Sequence, residues 1–413
     1  MKDSGKTGEP SGGWAVFAEP DFRAFALARL MSGMAQNIQT VGVGLYVYQV
    51  TRDPLALGLA GLFTFLPQLM FVALSGHAAD SFDRRRIVAA GYALAAVSGV
   101  GLMLIAGWGL TATAPVYAMI TLMGTTQAFV LPANQAMLPN LVRPGWQASA
   151  VAWNASIRQA ATILGPMAGG FLYLLGPLAT FAVACLCNLL GVAAALTITP
   201  QRSPARREAF SFSAFTTGAR FITANKVLLG ALSLDLVAVL FAGVVALLPI
   251  YATDILEAGP AALGWLRASQ AAGALGMALF LARYPIRRHG GRWMLTASAV
   301  FGLAIIGFGL SRLLWLSMLM MMIEGAADMV SVVVRGTLVQ AETPDDMRGR
   351  VGSVNSLFIG ASNSLGDFES GLVAAWIGVV PATIVGGCLS LMATALWCVL
   401  FPELRKRDRL QKG

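Results

Sequence analysis

Histidine and cysteine are scarce in this chain, and their scarcity argues against most catalytic and metal-binding sites. The only two histidines, His77 and His289, fall in predicted loops without the neighbours of a catalytic triad or a zinc site. The four cysteines lie in apolar stretches and lack the spacing of a metal site or a disulfide framework. The Gly-x-x-x-x-Gly-Lys-Ser/Thr loop that cradles nucleotide phosphates is also missing. We therefore expect no enzyme, no metal, no cofactor and no direct use of ATP.

Charge is scarce as well, which excludes an ordinary soluble domain. Charged residues make up 12% of the 413 residues, hydrophobic residues make up 57%, and the mean hydropathy is +0.70. A membrane-spanning helix needs about 20 apolar residues, so twelve such helices with short loops use nearly the whole chain. The predicted spans, numbered one to twelve, are 22–49, 55–77, 87–109, 114–138, 147–176, 178–199, 227–252, 262–284, 293–312, 314–339, 350–378 and 381–402.

The basic residues are distributed unequally between the two sides of the predicted bundle. The net charge is +9, and nearly all loop arginines and lysines fall on the side of the N-terminus, whereas the opposite side has only Arg52 and Arg312. This positive-inside distribution predicts that both termini lie in the cytoplasm, and we expect the membrane to be a bacterial-type inner membrane. The distribution also argues against nucleic-acid binding. The polar start of the chain lacks the apolar core of a signal peptide and predicts a short cytoplasmic tail.

A long basic connection divides the predicted spans into two sets of six. Residues 200–226 carry Arg202, Arg206 and Arg207, followed by a partly amphipathic piece near 210–221. The chain is therefore predicted to be an all-α membrane protein with two pseudo-symmetric six-helix bundles. The predicted units are an N-terminal cytoplasmic tail, a first bundle, a cytoplasmic linker, a second bundle and a C-terminal cytoplasmic tail, at 1–21, 22–199, 200–226, 227–402 and 403–413.

Weak internal similarity supports this division. One constant shift of the chain superimposes Asn154 on Asn355, Gly165 on Gly366 and Gly170 on Gly371, and a similar shift superimposes Leu57-Gly58 on Leu263-Gly264. The matches are few, but they fall where a parallel repeat of six spans would put them. Transporters built from parallel repeats bind their substrate near the midplane, between the halves.

Charged side chains lie inside or at the ends of the predicted spans, although a charge in hydrocarbon costs at least about 2.5–3.5 kcal/mol. They are Arg29, Arg158, Asp235, Arg267, Glu324, Asp328, Arg335, Asp367 and Glu369. Spans three, six, nine and twelve carry none. Because intramembrane charges normally face a bundle interior or a wet cavity, the pattern predicts a polar pathway walled by charge-free helices, which is typical of a transporter.

The acidic residues of the second half are candidates for proton coupling. Glu324, Asp328, Ser331 and Arg335 form one stripe along span ten. Glu324 and Asp328 are one turn apart, so mutual repulsion favours a proton on one of the two carboxyls. A static ion-pair network with Arg335 or Arg267 is the alternative. The proton-site candidates are Asp235, Glu324, Asp328 and Glu369, with Arg267 and Arg158 as alternative structural partners of Asp235 and Glu369.

Polar residues on several spans are candidates for the lining of a substrate cavity. They are Arg29, Gln36, Asn37, Asn154, Arg158, Arg267 and Arg335. Four arginines inside the spans favour a substrate with anionic or acceptor-rich groups. Five acidic residues nearly balance them, so the sequence gives this preference little weight.

The loop after span two resembles the signature Gly-x-Leu-Ala-Asp-Arg-x-Gly-Arg-Arg of the major facilitator superfamily. Gly76, Asp80, Arg84 and Arg85 match it, whereas Ser81 and Asp83 depart from it. Asp80 can accept a charge-assisted hydrogen bond from a neighbouring helix or its basic loop, which would hold the cytoplasmic side shut. The alternative is that the arginines serve only as a positive-inside anchor.

Span five holds Gly165, Pro166, Gly169 and Gly170, a segment similar to the Gly-Pro-x-x-Gly-Gly segment of major facilitator exporters. Ala161 stands upstream where a glycine is usual in that longer motif. Small residues let helices approach closely, and proline favours a bend. The segment is therefore predicted to serve gating and helix rocking, with ordinary small-residue packing as the alternative.

Four stretches narrow the resemblance to the enterobactin exporter-like branch of the superfamily. They are 39–61, 129–154, Asp235 with Leu248-Pro249, and 325–371. The resemblance implies a monomeric, proton-driven exporter of a siderophore, a drug or another small amphiphile. A lipid flippase on the same fold, an importing symporter and a non-transporting membrane sensor are the alternatives, and the ionisable stripe of span ten argues against the sensor.

Overall fold

The computed structural model describes residues 14–143, 145–200, 212–286, 288–344 and 347–406, and these ranges are helical apart from short connections. The predicted all-α class is therefore confirmed. Twelve long helical segments within these ranges correspond to the predicted spans, and we keep their numbers. They run Pro20–Thr51, Pro54–Ser81, Arg84–Gly107, Thr113–Met137, Gln147–Tyr173, Pro177–Thr197, Lys226–Ile255, Pro260–Arg283, Gly290–Leu310, Leu314–Glu342, Arg348–Ile377 and Val379–Leu400.

Local chemistry explains where several of these helices begin. Pro20, Pro54, Pro177 and Pro260 occupy the first turns of their helices, where a missing N–H costs nothing. Other helices begin at a side-chain cap, as in span seven, where the Asn225 side chain accepts hydrogen bonds from the first backbone amides.

Eight of the twelve helices are long and apolar enough to cross a membrane by length and composition, among the residues described. The other four are spans one, five, eight and eleven, which carry Arg29, Arg158, Arg267 and Asp367. Span one packs against span five, span five against span eight, and span eleven against span two. These four least apolar helices thus supply both helices of the span five–span eight contact and one helix of the span two–span eleven contact between the two sets.

Spans one to six pack mainly on one another, and so do spans seven to twelve. The main contacts between the two sets are span two with span eleven and span five with span eight. This arrangement agrees with two pseudo-symmetric bundles, while the domain boundaries given above stay a prediction. Parts of the predicted tails and linker, namely 1–13, 201–211 and 407–413, lie outside the described residues.

Glycine pairs allow the two sets of helices to touch. A Cβ on Gly371 of span eleven would lie 2.7 Å from the Cα of Gly58 of span two, and a Cβ on Gly170 of span five would lie 3.2 Å from the Cα of Gly264 of span eight. These glycines are among those that the internal repeat superimposes. The repeat detected in the sequence therefore corresponds to a pair of equivalent helix crossings.

Span seven is not the continuous helix that the sequence predicts. Its first helix ends at Phe241, and Val244–Leu247, Leu248–Ile250 and Tyr251–Ile255 follow as 3-10, α and π turns. Pro249 lacks the N–H that would continue the helical hydrogen bonds. Gly243 packs directly on Gly366 of span eleven, where a side chain would not fit. The sequence analysis missed the break because every residue in it is apolar or small.

Four shorter helices lie outside the spans in the described part of the chain, one of them the 3-10 turn Leu138–Asn140 after span four. Ala15–Ala18 precedes span one, and Pro402–Lys406 follows span twelve. Phe212–Ala224 lies within the predicted linker, where the sequence is amphipathic. Its Ile222 packs with Val351 and Val354 of span eleven, so the described part of the linker rests on the second set of helices.

The two sets of helices meet at one end of the bundle and separate at the other. We call the end at which span one begins and span twelve ends the inner end. At the outer end a single apolar cluster includes Leu45 and Phe181 from the first set and Tyr251 and Phe308 from the second. At the inner end each set has its own cluster, around Tyr92 in the first and around Met294 in the second. Among the described residues, the two sets therefore close on each other at the outer end and keep separate apolar clusters at the inner end.

Filling the outer crossing should weaken this closed state. Gly371→Ala places a methyl group against the Gly58 backbone, and such overpacking costs about 1–3 kcal/mol. Gly360→Ala is the matched control, because it lies in the same helix with its nearest described neighbour 4.0 Å from the added Cβ. We expect Gly371→Ala to lower the unfolding temperature in detergent and Gly360→Ala to keep or raise it. Equal unfolding temperatures would contradict the proposed tight crossing.

Candidate functional site

A polar cavity of about 300 Å³ lies within the first six spans. Four of the predicted lining residues, Arg29, Gln36, Asn37 and Arg158, do line it. Its walls combine these side chains with apolar residues such as Met123 and Val130. Clefts of this size with a few polar groups are typical of small-molecule sites.

The packing of span one on span five builds the cavity wall. Arg29, Gln36 and Asn37 share one face of span one, and the Asn37 amide donates to the Gly33 carbonyl at 2.9 Å. A Cβ on Gly33 would lie only 2.9 Å from the Cβ of Ala161 in span five. Ala161 is the residue that departs from the exporter motif, and Gly33 supplies the space that this departure requires.

Four further amides that the sequence analysis did not single out line the cavity: Gln39, Gln68, Gln127 and Asn188. Gln68 of span two donates to Gln127 of span four at 3.4 Å. Gln68 and Asn188 are the only amides of their otherwise apolar spans, and this isolation was a signal that the sequence analysis, directed at charged residues, did not use.

The acidic residues lie in the second set of helices, apart from this cavity. Asp235 of span seven forms a buried ion pair with Arg335 of span ten and accepts a hydrogen bond from Ser331 at 2.9 Å. The alternative pairing of Asp235 with Arg267 is not formed. Arg335 is held in this pair, and it is not among the residues that line the cavity of the first six spans.

Glu324 and Asp328 have no arginine or lysine partner within hydrogen-bonding distance among the described residues. Glu324 is 4% exposed, accepts one hydrogen bond from Gln270 at 3.3 Å, and keeps its second carboxylate oxygen buried without a partner. Gly325 lets span ten touch the backbone of Gln270, which brings the amide within reach. Asp328 and Asp235 line the same narrow void. An ionised carboxylate without a counter-charge is costly in such surroundings.

The remaining predicted residues are dispersed. Arg267 interacts electrostatically with Asp367 of span eleven, which accepts a hydrogen bond from the Ala246 backbone. Glu369 receives its hydrogen bond from Ser370 at 3.4 Å and forms no ion pair with Arg158 among the described residues. Asn154 is not part of the cavity lining, and its amide oxygen is buried without a hydrogen-bond donor.

The predicted gating residues lie at the inner end. Arg84 donates to the carbonyls of Ala79 and Ala136, at 3.1 and 2.9 Å, and so connects the inner ends of spans two and four. Arg85 donates to the Ile198 carbonyl at 3.0 Å, after the end of span six. Gly76 and Asp80 lie in the last turns of span two. The Asp80 side chain lies outside the described part of the structure, and its gating role stays a prediction.

The exporter-like segment of span five lies where three helices meet. A Cβ on Gly165 would contact Asn37 of span one, and a Cβ on Gly169 would lie 3.2 Å from the Cα of Ile38. Gly170 faces span eight in the crossing described above. The Pro166 carbonyl oxygen lies at the same crossing, and a Cβ added to Gly264 would lie 2.7 Å from it. The segment thus contacts helices of both sets at once.

A polar contact joins the two sets of helices at the outer end. Asp254, at the end of span seven, accepts hydrogen bonds from the Tyr48 hydroxyl and from Arg52 at 3.1 Å. The Arg52 guanidinium also lies over the Tyr48 ring, 5.4 Å from its centroid. The sequence analysis missed this cluster because its members lie far apart in the chain. We refer to Tyr48, Arg52 and Asp254 as the outer tie.

Comparison with known proteins gives consistent results. The family model described as transmembrane secretion effector matches residues 11–412. The multidrug efflux pump Tap of Mycobacterium tuberculosis (strain ATCC 25618 / H37Rv) is 28% identical over 400 residues, covering 92% of this chain and 93% of Tap. The enterobactin exporter EntS of Escherichia coli O81 (strain ED1a) is 26% identical over 398 residues, covering 94% and 93%.

Solved structures share the fold. The nucleoside transporter NupG matches with a TM-score of 0.69 at 15% identity, over 92% of this chain and 99% of NupG. A bacterial homologue of the iron transporter ferroportin, in an inward-facing state, matches with a TM-score of 0.68 at 17% identity, over 94% and 99%.

The buried ion pair can be tested by a double-substitution cycle. Arg335→Met leaves Asp235 buried without its partner, which costs about 3–5 kcal/mol, and Asp235→Leu combined with Arg335→Met should recover most of that loss. Lys226→Met is the control, because its pair with Glu403 is exposed and worth less than about 1 kcal/mol. Thermal unfolding of the purified variants gives the comparison. A loss in the double variant as large as the sum of the single losses would refute the pair.

Proposed function

Because the chain belongs to the transmembrane secretion effector family of major facilitator transporters, we propose that it is a proton-coupled exporter of a small amphiphilic molecule, working by alternating access. It is a multi-span transport protein related to efflux proteins. The coupling ion, the cycle and the substrate are the parts that the proposal adds.

One observation carries the proposal: the substrate-sized cavity and the unpaired carboxyls lie in different halves of the bundle. Arg29, Gln36 and Arg158 line the cavity of the first six spans. Glu324 and Asp328 lie in span ten of the second set, close to the Asp235–Arg335 pair. A proton exchanged at the carboxyls changes the charge of one half, and alternating access requires that the halves move relative to each other. The proton and the substrate therefore bind at separate sites, and both influence the same movement of one half relative to the other.

The two ends of the bundle support a rocking movement. The outer tie and the paired glycine crossings hold the outer end closed, while the two sets keep separate apolar clusters at the inner end. In the outward-facing state the outer tie would break, and the loop of Gly76, Asp80, Arg84 and Arg85 would close the inner end. The Gly165–Gly170 segment, which contacts both halves, would serve as the pivot.

The direction of transport follows from the orientation. The positive-inside distribution assigns the inner end to the cytoplasm of a bacterial-type inner membrane, with both termini on that side. The open cavity then faces the cytoplasm, where an exporter collects its substrate. The names of the relatives, a multidrug pump and an enterobactin exporter, support a small amphiphile such as a siderophore or a drug.

Metabolite profiling identifies the substrate. A deletion strain complemented with the wild type is compared with one carrying Glu324→Gln and Asp328→Asn, under iron-limited and iron-replete growth. We expect a compound that accumulates inside the mutant and appears in the medium only with the wild type. A change in the lipid composition of the two leaflets without any soluble product would instead indicate a flippase, and uptake in place of release would indicate an importer.

The proton role is tested in vesicles with the compound so identified. Glu324→Gln, Asp328→Asn, Asp235→Asn and Glu369→Gln are compared for transport driven by a pH gradient and for exchange without one. A proton-binding carboxyl is needed only for the first, so its variant should lose gradient-driven transport by about tenfold or more and keep exchange. Glu257→Gln, at an exposed outer carboxyl, is the control. If all four variants retained full gradient-driven transport, proton coupling through these residues would be excluded.

A further inference from the structure

We propose that the cavity of the first six spans selects an anionic amphiphile and disfavours cations of the same shape. The inference rests on the proposed function only in assuming that this cavity is the substrate site, and it adds the chemical class of the substrate. The observation behind the inference is that two arginines, Arg29 and Arg158, line a cavity whose lining includes no carboxylate.

The composition of the spans hides this asymmetry, because acidic and basic residues nearly balance along the chain. The structure separates them. Arg335 is neutralised by Asp235, and Arg267 lies in the same second set of helices as Asp367, whose negative charge acts on it. The other two arginines, Arg29 and Arg158, line the cavity of the first set, and none of its lining residues is aspartate or glutamate.

Neither cavity arginine is satisfied by the protein. Within the described residues, the side chains of Arg29 and Arg158 form no ion pair and no hydrogen bond, and the Nε of Arg29 is buried without an acceptor. A guanidinium presents five donors in a planar fork that matches carboxylate and phosphate groups. Arg29 is partly buried, and removing its guanidinium from water without a counter-charge is unfavourable, whereas Arg158 is exposed and supplies a second positive charge to the same cavity. An anion bound between the two would relieve the cost at Arg29.

The rest of the lining fits the body of such a ligand. The amides of Gln36, Gln68 and Gln127 supply neutral polar groups, while Met123 and Val130 offer apolar wall. The Gly33–Ala161 contact brings spans one and five close together, so their arginines share one cavity of about 300 Å³. The cavity therefore suits a compact molecule with an apolar body and at least one anionic group.

The charges of the cavity also explain why it should bind anions in preference to cations. A cation entering this cavity meets two like charges and no carboxylate to offset them, and such repulsion is a direct means of specificity. The buried carboxylates of span ten do not line this cavity and cannot serve as the counter-charge there. An efflux protein for cationic drugs would need the opposite arrangement.

Two xanthene dyes of similar shape and opposite charge test the inference. Binding of fluorescein, an anion at mildly alkaline pH, and of rhodamine 123, a cation, is measured on the purified full-length protein in detergent, without any gradient. We expect the wild type to bind fluorescein at least about tenfold more tightly than rhodamine 123. Equal affinities, or tighter binding of rhodamine 123, would overturn the inference.

Matched variants connect the preference to the two arginines. Arg29→Gln and Arg158→Gln should each weaken fluorescein binding by about tenfold and leave rhodamine 123 unchanged or improved. Arg29→Lys and Arg158→Lys keep the charge but lose the planar fork, so each should bind fluorescein more tightly than the glutamine variant and less tightly than the wild type, an order that a defect in folding would not produce. Arg23→Gln is the control, an exposed arginine of span one outside the cavity lining. Unchanged fluorescein binding in both glutamine variants would also overturn the inference.

Transport of the same dyes in proteoliposomes separates this inference from the proposed function. If fluorescein binds but a pH gradient does not drive its transport, the result would contradict proton-coupled export and would still support the anion site. Gradient-driven movement of rhodamine 123 together with undetectable fluorescein binding would overturn the anion site and leave export standing. Gradient-driven movement of fluorescein that is lost in Arg29→Gln would support both.

Discussion

The cost of an unpaired charge in the membrane interior governs this structure more than any other interaction. Three arrangements accommodate most of these charges. Asp235 and Arg335 neutralise each other, Arg29 and Arg158 line a polar cavity, and Glu324 accepts a hydrogen bond from Gln270 in a buried position. The first arrangement joins two helices, and the other two are the ones to which we assign substrate binding and proton coupling in the proposed function.

Close helix contact is the second requirement, and glycine supplies it in both halves. The Gly58–Gly371 and Gly170–Gly264 crossings are related by the internal repeat, and both lie at the outer end. Equivalent contacts on either side of a pseudo-symmetry axis bring the two halves together evenly at this end. The outer tie of Tyr48, Arg52 and Asp254 adds a polar contact to these glycine crossings.

Most of the fold could be predicted from the sequence because helix length and hydropathy are local properties. The spans follow from them, whereas the family resemblance rests on the motifs of spans two and five and on four longer stretches, and the comparisons and the structure confirm the family and the fold. The site could be predicted only in part. Arg29 and Arg158 were recognisable as charges in apolar segments, but their separation from every acidic residue is a tertiary property. The Asp235–Arg335 pair joins residues on spans seven and ten, and sequence proximity favoured Arg267 instead. The break in span seven was missed because Gly243 and Pro249 are ordinary residues of membrane helices.

The low hydropathy of spans one, five, eight and eleven has a consequence for how the chain is made. A segment that carries Arg29, Gln36 and Asn37 enters the lipid poorly when it leaves the insertion machinery alone. Span two follows after a short turn and is apolar enough to insert by itself. Biogenesis should therefore proceed by pairs, with each polar helix retained at the insertion site until an apolar neighbour shields it. The residues that equip the finished protein for transport are the ones that make its assembly depend on the order of synthesis.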